Sequence, residues 1–237
     1  MIEIKSLQHP LVKRLVALRT QKKEREDTQT VLIESPKVIR EIAAKKPLKT
    51  MLSLTPSSLQ AENAYLVTQE ILNKISGMET ADTLLAEVDM PRPVSLHAKK
   101  WVLALDGVAE PGNLGTLLRT SLAFGWEGVF FLPGTCDPFN EKALRAGRGA
   151  IFRLPFAYGS FEDLQKLGLP LLAADLQGER PSPQKAVCLI VGNEAQGLSL
   201  KIHDQVTKVS LPMQGEMESL NVAVAGGILL YTLKGMQ

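Results

Sequence analysis

Cysteine is scarce in this 237-residue chain, with only Cys136 and Cys188. They lie far apart, and neither sits in a C-x-x-C or Cys/His metal spacing. Both are therefore expected to be reduced thiols. The three histidines, His9, His97 and His203, are equally scattered, so no metal site is expected. No apolar run is long enough to cross a bilayer; the longest, near the C-terminus, is interrupted by Gly226 and Gly227. The opening residues MIEIKSLQHP bring charge early and lack the apolar stretch of a secretory leader, so a cytoplasmic location is expected. No G-x-G-x-x-G follows the first strand, no G-x-x-x-x-G-K-[ST] occurs, and there is no G-x-S-x-G elbow. Conventional dinucleotide, triphosphate and serine-hydrolase sites are thus unsupported. Short repeats and low-complexity segments are missing too.

Apolar residues make up 45% of the chain and charged residues 22%, ordinary values for a globular protein able to bury a sizeable core. The net charge of +2 is unevenly spread. Residues 1–50 hold 12 of the 27 Lys and Arg but 6 of the 25 Asp and Glu, a net of +6, which leaves −4 for the rest. Such asymmetry suggests that the N-terminal segment meets a polyanion, although stretches such as KKERE also suit a solvated helix face.

Hydrophobic periodicity predicts a helix over residues 9–26, with Leu11, Leu15 and Leu18 on one face. TVLIES then reads as a strand, and Ser35-Pro36 opens a helix, with Ser35 at the N-cap and Pro36 at the first helical position. Strands at 48–54, AYLVT and TLLAEVDM alternate with the helix QEILNKIS, which argues an α/β domain. MPRPVSLHAKK reads as a linker. The expected organisation is a domain over 1–91, a linker over 92–100 and a second domain over 101–237. In the second domain WVLALD, GVFFL, LPLLAAD and AVCLIVG are continuous apolar strands, which implies a mainly parallel sheet buried on both faces. The turns after these strands are rich in Gly, Asn and Glu, and in open α/β sheets ligands bind beyond the strand ends.

Three constellations occupy those turns. In EPGNLGTLLRT, Asn113 can cap a helix, Gly115 permits close approach, and Arg119 shares the Gly115 face. A surface arginine would look the same. In LIVGNEAQGLS an apolar strand stops at Gly192, Asn193 and Glu194 follow at once, and Gly197 allows a second tight turn. In LPMQGEMESLNVAVAGGILLY, Leu211, Pro212 and Met213 form an apolar lip and Gly215 bends the chain. Glu218, Ser219 and Asn221 then crowd the start of an apolar helix, where they need partners, either free backbone N–H groups or a ligand.

In this order and at these spacings, the three constellations resemble the motifs of the SpoU (TrmH-like) RNA 2′-O-ribose methyltransferases of the SPOUT superfamily. The matching residues are Asn113, Gly115 and Arg119; Gly192, Asn193, Glu194 and Gly197; and Pro212, Met213, Gly215, Glu218, Ser219, Leu220 and Asn221. Asn140, Arg145, Gly149 and Ala150 also fit, so the likeness runs over residues 102–235. Many relatives have Ser where Gly147 and Ala223 stand. Residues 1–90 resemble the ribosomal-protein-like RNA-binding domain often attached to this family.

The resemblance implies a small N-terminal α/β domain and a C-terminal, mainly parallel-sheet α/β domain with a deep trefoil knot. General topology rules argue against a knot, which rests on the resemblance alone. It also implies a homodimer through the C-terminal domain and S-adenosyl-L-methionine as cofactor. Arg119, Asn113, Glu194, Asn221 and Ser219 would be catalytic. Gly192, Asn193, Gly197, Leu211, Met213, Ser219, Leu220 and Asn221 would bind the cofactor. Lys13, Arg14, Lys37, Arg40 and Arg145 would meet RNA, with ribosomal RNA favoured over transfer RNA. Arg119 would act as a proton relay or only through its charge. The rival reading is a non-catalytic RNA-binding or ribosome-assembly factor on the same scaffold.

Overall fold

The computed structural model describes residues 2–214 and 219–235. It divides into two units, residues 1–91 with 139–148, and residues 92–138 with 149–237.

The first unit contains β1 (Ile2–Ile4), α1 (Pro10–Thr20), α2 (Lys22–Thr28), β2 (Thr30–Ile33), α3 (Pro36–Ala43), β3 (Leu48–Ser53), β4 (Ala61–Val67), α4 (Gln69–Ser76) and β5 (Leu84–Asp89). Its mixed sheet has the order β1-β4-β3-β5-β2. β1, β4 and β3 run parallel, whereas β5 pairs antiparallel with both β3 and β2. Leu15 and Leu18 of α1 and Ile71, Leu72 and Ile75 of α4 join Leu52 and Leu85 of the sheet in one apolar core.

The single helix expected over 9–26 is two helices. Gln21 adopts an extended backbone (φ −112°, ψ 119°) and separates α1 from α2. The buried Arg25 of α2 turns back and donates to the carbonyls of Leu18 (3.0 Å) and Arg19 (2.9 Å). The break is thus sealed by a side chain that satisfies carbonyls left open at the end of α1.

The second unit contains β6 (Trp101–Leu105), α5 (Pro111–Ala123), β7 (Gly128–Phe131), β8 (Phe156–Tyr158), α7 (Phe161–Gln165), β9 (Leu171–Glu179), β10 (Val187–Val191), α8 (Leu200–His203), β11 (Thr207–Val209) and α9 (Val222–Lys234). The intervening α6 (Glu141–Gly147) belongs to the first unit. The six-stranded sheet, β11-β9-β10-β6-β7-β8, is parallel throughout, as the continuous apolar strands imply. From β6 the chain winds outward through β7 and β8, then returns to β9 and β10 on the other side. The loops after β6 and β10 therefore leave adjacent strands at a topological switch point, the favoured position for a ligand crevice. Among the described residues no helix is long and apolar enough to cross a membrane, and no cluster of His, Cys, Asp and Glu is suited to a metal.

Candidate active site

The β6 and β10 loops are built to stay in register with each other. Buried Asp106, just past β6, receives a 2.7 Å hydrogen bond from the Ser199 N–H, and its own N–H donates to the Val191 carbonyl (2.9 Å). Asn193 donates through Nδ2 to the Gly107 carbonyl (2.7 Å), while its Oδ1 accepts from the N–H groups of Ala195 and Gln196. Reciprocal backbone bonds between Asn193 and Gly197 (2.8 and 2.9 Å) close a tight loop, with Gly197 at φ +70°. A Cβ on Gly192 would lie 2.5 Å from the Gly197 carbonyl carbon and oxygen. Only glycine allows the two backbones to meet so closely.

At this junction Glu194 gathers the α5 N-terminus. Its carboxylate accepts from the N–H groups of Ala109 (3.0 Å) and Glu110 (3.1 Å) and from Asn113 Nδ2 (3.0 Å). Asn113 Oδ1 accepts in turn from Asn221 Nδ2 (3.1 Å). Asn221 caps α9, its Oδ1 accepting from the N–H groups of Ala223 and Val224. The three constellations are thus joined by one chain of hydrogen bonds, Glu194–Asn113–Asn221. Burial works to raise the Glu194 pKa, but the bonds from Asn113 and the backbone outweigh it and hold the carboxyl below its ordinary value. Cys136 nearby is pushed up to about 11 by burial and by Glu194 and Asp137, so it is a neutral thiol.

A cleft of about 740 Å³ opens beside this chain of bonds. All eight residues expected to hold a cofactor line it, as does Glu194. Gly215 and Glu218 of the third constellation lie outside the described residues. Sequence reasoning missed Asp106, which latches the two loops, and Asp175 and His203 on the cleft wall. Asp175 ends the apolar run LPLLAAD, and that change of polarity was the available signal, although β9 itself runs on to Glu179.

Arg119 does not join the trio. Six residues along a helix is a rotation of about 600°, so it projects roughly 120° away from Asn113. It is exposed and has no hydrogen bond or ion pair among the described residues. The basic residues expected at RNA divide into two groups. Arg14 makes a two-pronged pair with buried Glu87 (2.8 and 2.6 Å), and Arg145 is held by Glu34 (2.9 Å) and the Ser76 carbonyl (3.0 Å) within the first unit. Lys13, Lys37 and Arg40 are exposed, with no side-chain partner among the described residues.

Residues 100–231 match the SpoU rRNA Methylase family. The chain belongs to this family. Residues 9–86 match the MRM3-like substrate binding domain, so the SpoU methylase unit is preceded by a substrate-binding module of known type. Among curated SpoU-type relatives, the 23S rRNA (guanosine(2553)-2′-O)-methyltransferase RlmP of Bacillus subtilis is 34% identical over 99% of this chain and 100% of its own length. The AdoMet-bound rRNA methyltransferase from Sinorhizobium meliloti superposes with a TM-score of 0.87 at 27% identity, covering 97% of this chain and 96% of that one. An RNA 2′-O ribose methyltransferase of known structure superposes with a TM-score of 0.80 at 28% identity, covering 98% and 97%.

Proposed function

We propose that this SpoU methylase transfers a methyl group from S-adenosyl-L-methionine to a ribose 2′-hydroxyl of ribosomal RNA. The observation that carries the reading is the convergence of Glu194, Asn113 and Asn221, from three distant segments, beside a cleft at the switch point of a parallel sheet. The cleft fits the cofactor. Its volume falls in the range of roughly 300–1,000 Å³ usual for small-molecule sites. Leu198, Leu211 and Leu229 offer apolar walls for a purine, and the carboxylates of Asp175 and Glu194 suit a cationic ligand. The test is label transfer from S-adenosylmethionine into unmodified ribosomal RNA, followed by nucleoside analysis. Label found in bases, or none in 2′-O-methyl nucleosides, would sink the reading.

The bound cofactor supplies an already activated methyl group. The protein must align the hydroxyl, exclude water and manage the hydroxyl proton. Asn113, Glu194 and Asn221 fix the loops that frame the reacting atoms, and Ser219 supports them from the cleft wall. Gly192, Asn193, Gly197, Leu211, Met213 and Leu220 hold the cofactor, largely through backbone and apolar contact. Arg119 acts by its charge, stabilising the developing 2′-alkoxide. Lys13, Lys37 and Arg40 contact RNA phosphates. Gly192→Ala should weaken cofactor binding at least tenfold by calorimetry, because the new methyl group collides with the Gly197 backbone. Wild-type affinity would refute this packing role.

Arg119 points away from the trio of its own chain, so the site is completed in a homodimer, where Arg119 of one subunit faces the trio of the other. Val224, Ile228 and Tyr231 of α9 support this, lying 52%, 44% and 42% exposed at positions i, i+4 and i+7. This stripe adjoins α5, against which α9 packs through the Phe124–Tyr231 ring contact. Ile228→Glu should give a folded monomer by light scattering, with methyl transfer largely lost; a dimer of wild-type mass would exclude this face. The family resemblance is the basis for one further part of the proposal, a trefoil knot in the C-terminal segment, and the linker-like stretch MPRPVSLHAKK is the basis for another, domain limits of 1–91 and 101–237 around a linker over 92–100.

A further inference from the structure

One wall of the cleft is formed by an irregular stretch of β9. Lys208 of β11 pairs with Ala173, yet the next residue, Val209, pairs with Glu179, so residues 174–178 bulge out of the ladder. Gly178 fixes the bulge, because a Cβ there would lie 2.5 Å from the Val209 backbone. Ser210 Oγ donates to the Gly178 carbonyl (2.7 Å). The bulge carries Asp175 to the cleft.

The Asp175 carboxylate is only half-engaged by hydrogen bonds. Its Oδ1 accepts from the Gln177 N–H (2.8 Å). Its Oδ2 faces Lys208 Nζ at 3.6 Å and His203 Nε2 at 3.9 Å, both too long for hydrogen bonds. Lys208 Nζ instead lies 2.6 Å from His203 Nε2, and His203 Nδ1 lies 3.1 Å from Asp204 Oδ1. Oδ2 therefore accepts no hydrogen bond among the described residues, although the side chain is only 17% exposed. A carboxylate oxygen in ion-pair range of Lys208 but without a hydrogen bond suits a ligand with an N–H or O–H donor.

Position selects the donor. β9 is two strands from β6, about 10 Å across the sheet at the usual strand spacing. The methyl group must be delivered near the Asn113–Glu194–Asn221 chain, on the β6 side. Of the two arms extending from the sulfonium, the amino-acid arm is short, and only the adenosyl arm spans that distance. We infer that Asp175 Oδ2 accepts a hydrogen bond from the exocyclic amine of the cofactor's adenine, making Asp175 the residue that selects adenosyl over other nucleosyl cofactors. This rests on the cofactor assignment above. A purine with a carbonyl at that position would set oxygen against carboxylate, leaving both without a donor.

The test is calorimetric binding of S-adenosylhomocysteine and S-inosylhomocysteine to the wild type and to Asp175→Asn, with thermal unfolding run alongside. The wild type should prefer the adenosyl ligand at least tenfold. Asparagine can accept from an amine or donate to a carbonyl, so the preference should fall to within about threefold, chiefly through improved inosyl binding. Lys208→Gln leaves the carboxylate in place and should retain the preference. Equal weakening of both ligands in Asp175→Asn would make Asp175 a structural residue and overturn the inference, as would an unchanged preference. A wild type that binds neither ligand would instead remove the cofactor assignment itself.

Discussion

Replacing Arg119 by Ala is expected to lower methyl transfer by about a hundredfold to a thousandfold, the scale seen when a group aimed at a developing oxyanion is removed. Cofactor affinity should stay within about twofold, because Arg119 is not among the residues lining the cleft. Single-turnover transfer into unmodified ribosomal RNA, with calorimetry for the cofactor, separates the two quantities. The guanidinium is exposed, so its loss removes charge without disturbing a packed core. Mixed dimers give a sharper version. An inactive Arg119→Ala subunit and an inactive Asn113→Ala subunit should regain activity when combined, because one of the two composite sites is then intact. Failure to complement would place Arg119 in its own subunit's site.

The largest expected effect on stability is in the N-terminal unit. Glu87, 4% exposed, accepts from Arg14 through both oxygens and also from Thr30 (2.9 Å) and Thr50 (2.7 Å). Arg14→Met leaves this carboxylate buried without its cation and should cost about 3–5 kcal/mol. The double variant Arg14→Met/Glu87→Leu should recover part of that loss, since it removes the stranded charge. Urea denaturation measures both. If Arg14 served mainly as a phosphate contact, Arg14→Met would weaken RNA binding and leave the unfolding midpoint unchanged. Burial works to raise the Glu87 pKa, but the bonds from Arg14, Thr50 and Thr30 prevail and hold it below the ordinary value near 4.5. The pair's contribution is therefore fully present above that unfolded value and is lost as pH falls through the lower folded one. Between pH 5 and 7 the wild type's advantage over the double variant should be constant, then shrink in more acidic solution.

Much of the second unit was legible because its strands are buried on both faces. WVLALD, GVFFL and AVCLIVG read as central parallel strands, and the polar turn after AVCLIVG lines the cleft. The elements that escaped are short. β1, β8 and α8 have three or four residues each, held by neighbours distant in sequence rather than by their own pattern. The Gln21 break escaped because Leu11, Leu15 and Leu18 keep helical spacing up to the interruption, and the reason for it, Arg25 folding back, is a tertiary contact. Arg14 and Arg145 read as solvent-facing cations because their carboxylate partners lie 73 and 111 residues away. Charge counting cannot distinguish a cation that awaits phosphate from one already neutralised inside the fold. Lys13, Lys37 and Arg40 are the members of that expected set without a side-chain partner among the described residues.

The Glu194–Asn113–Asn221 chain also sets an order of events during synthesis. Its links join residues 81 and 108 positions apart, and Asn221 opens α9, the last helix among the described residues. While a ribosome is still making this protein, β6, α5 and β10 can form a sheet and a half-framed crevice, but the closing member of the trio emerges only with α9. On the proposed roles, a nascent chain at that stage has no working site to turn on the ribosomal RNA surrounding it. Competence arrives only after α9 has emerged and packed against α5.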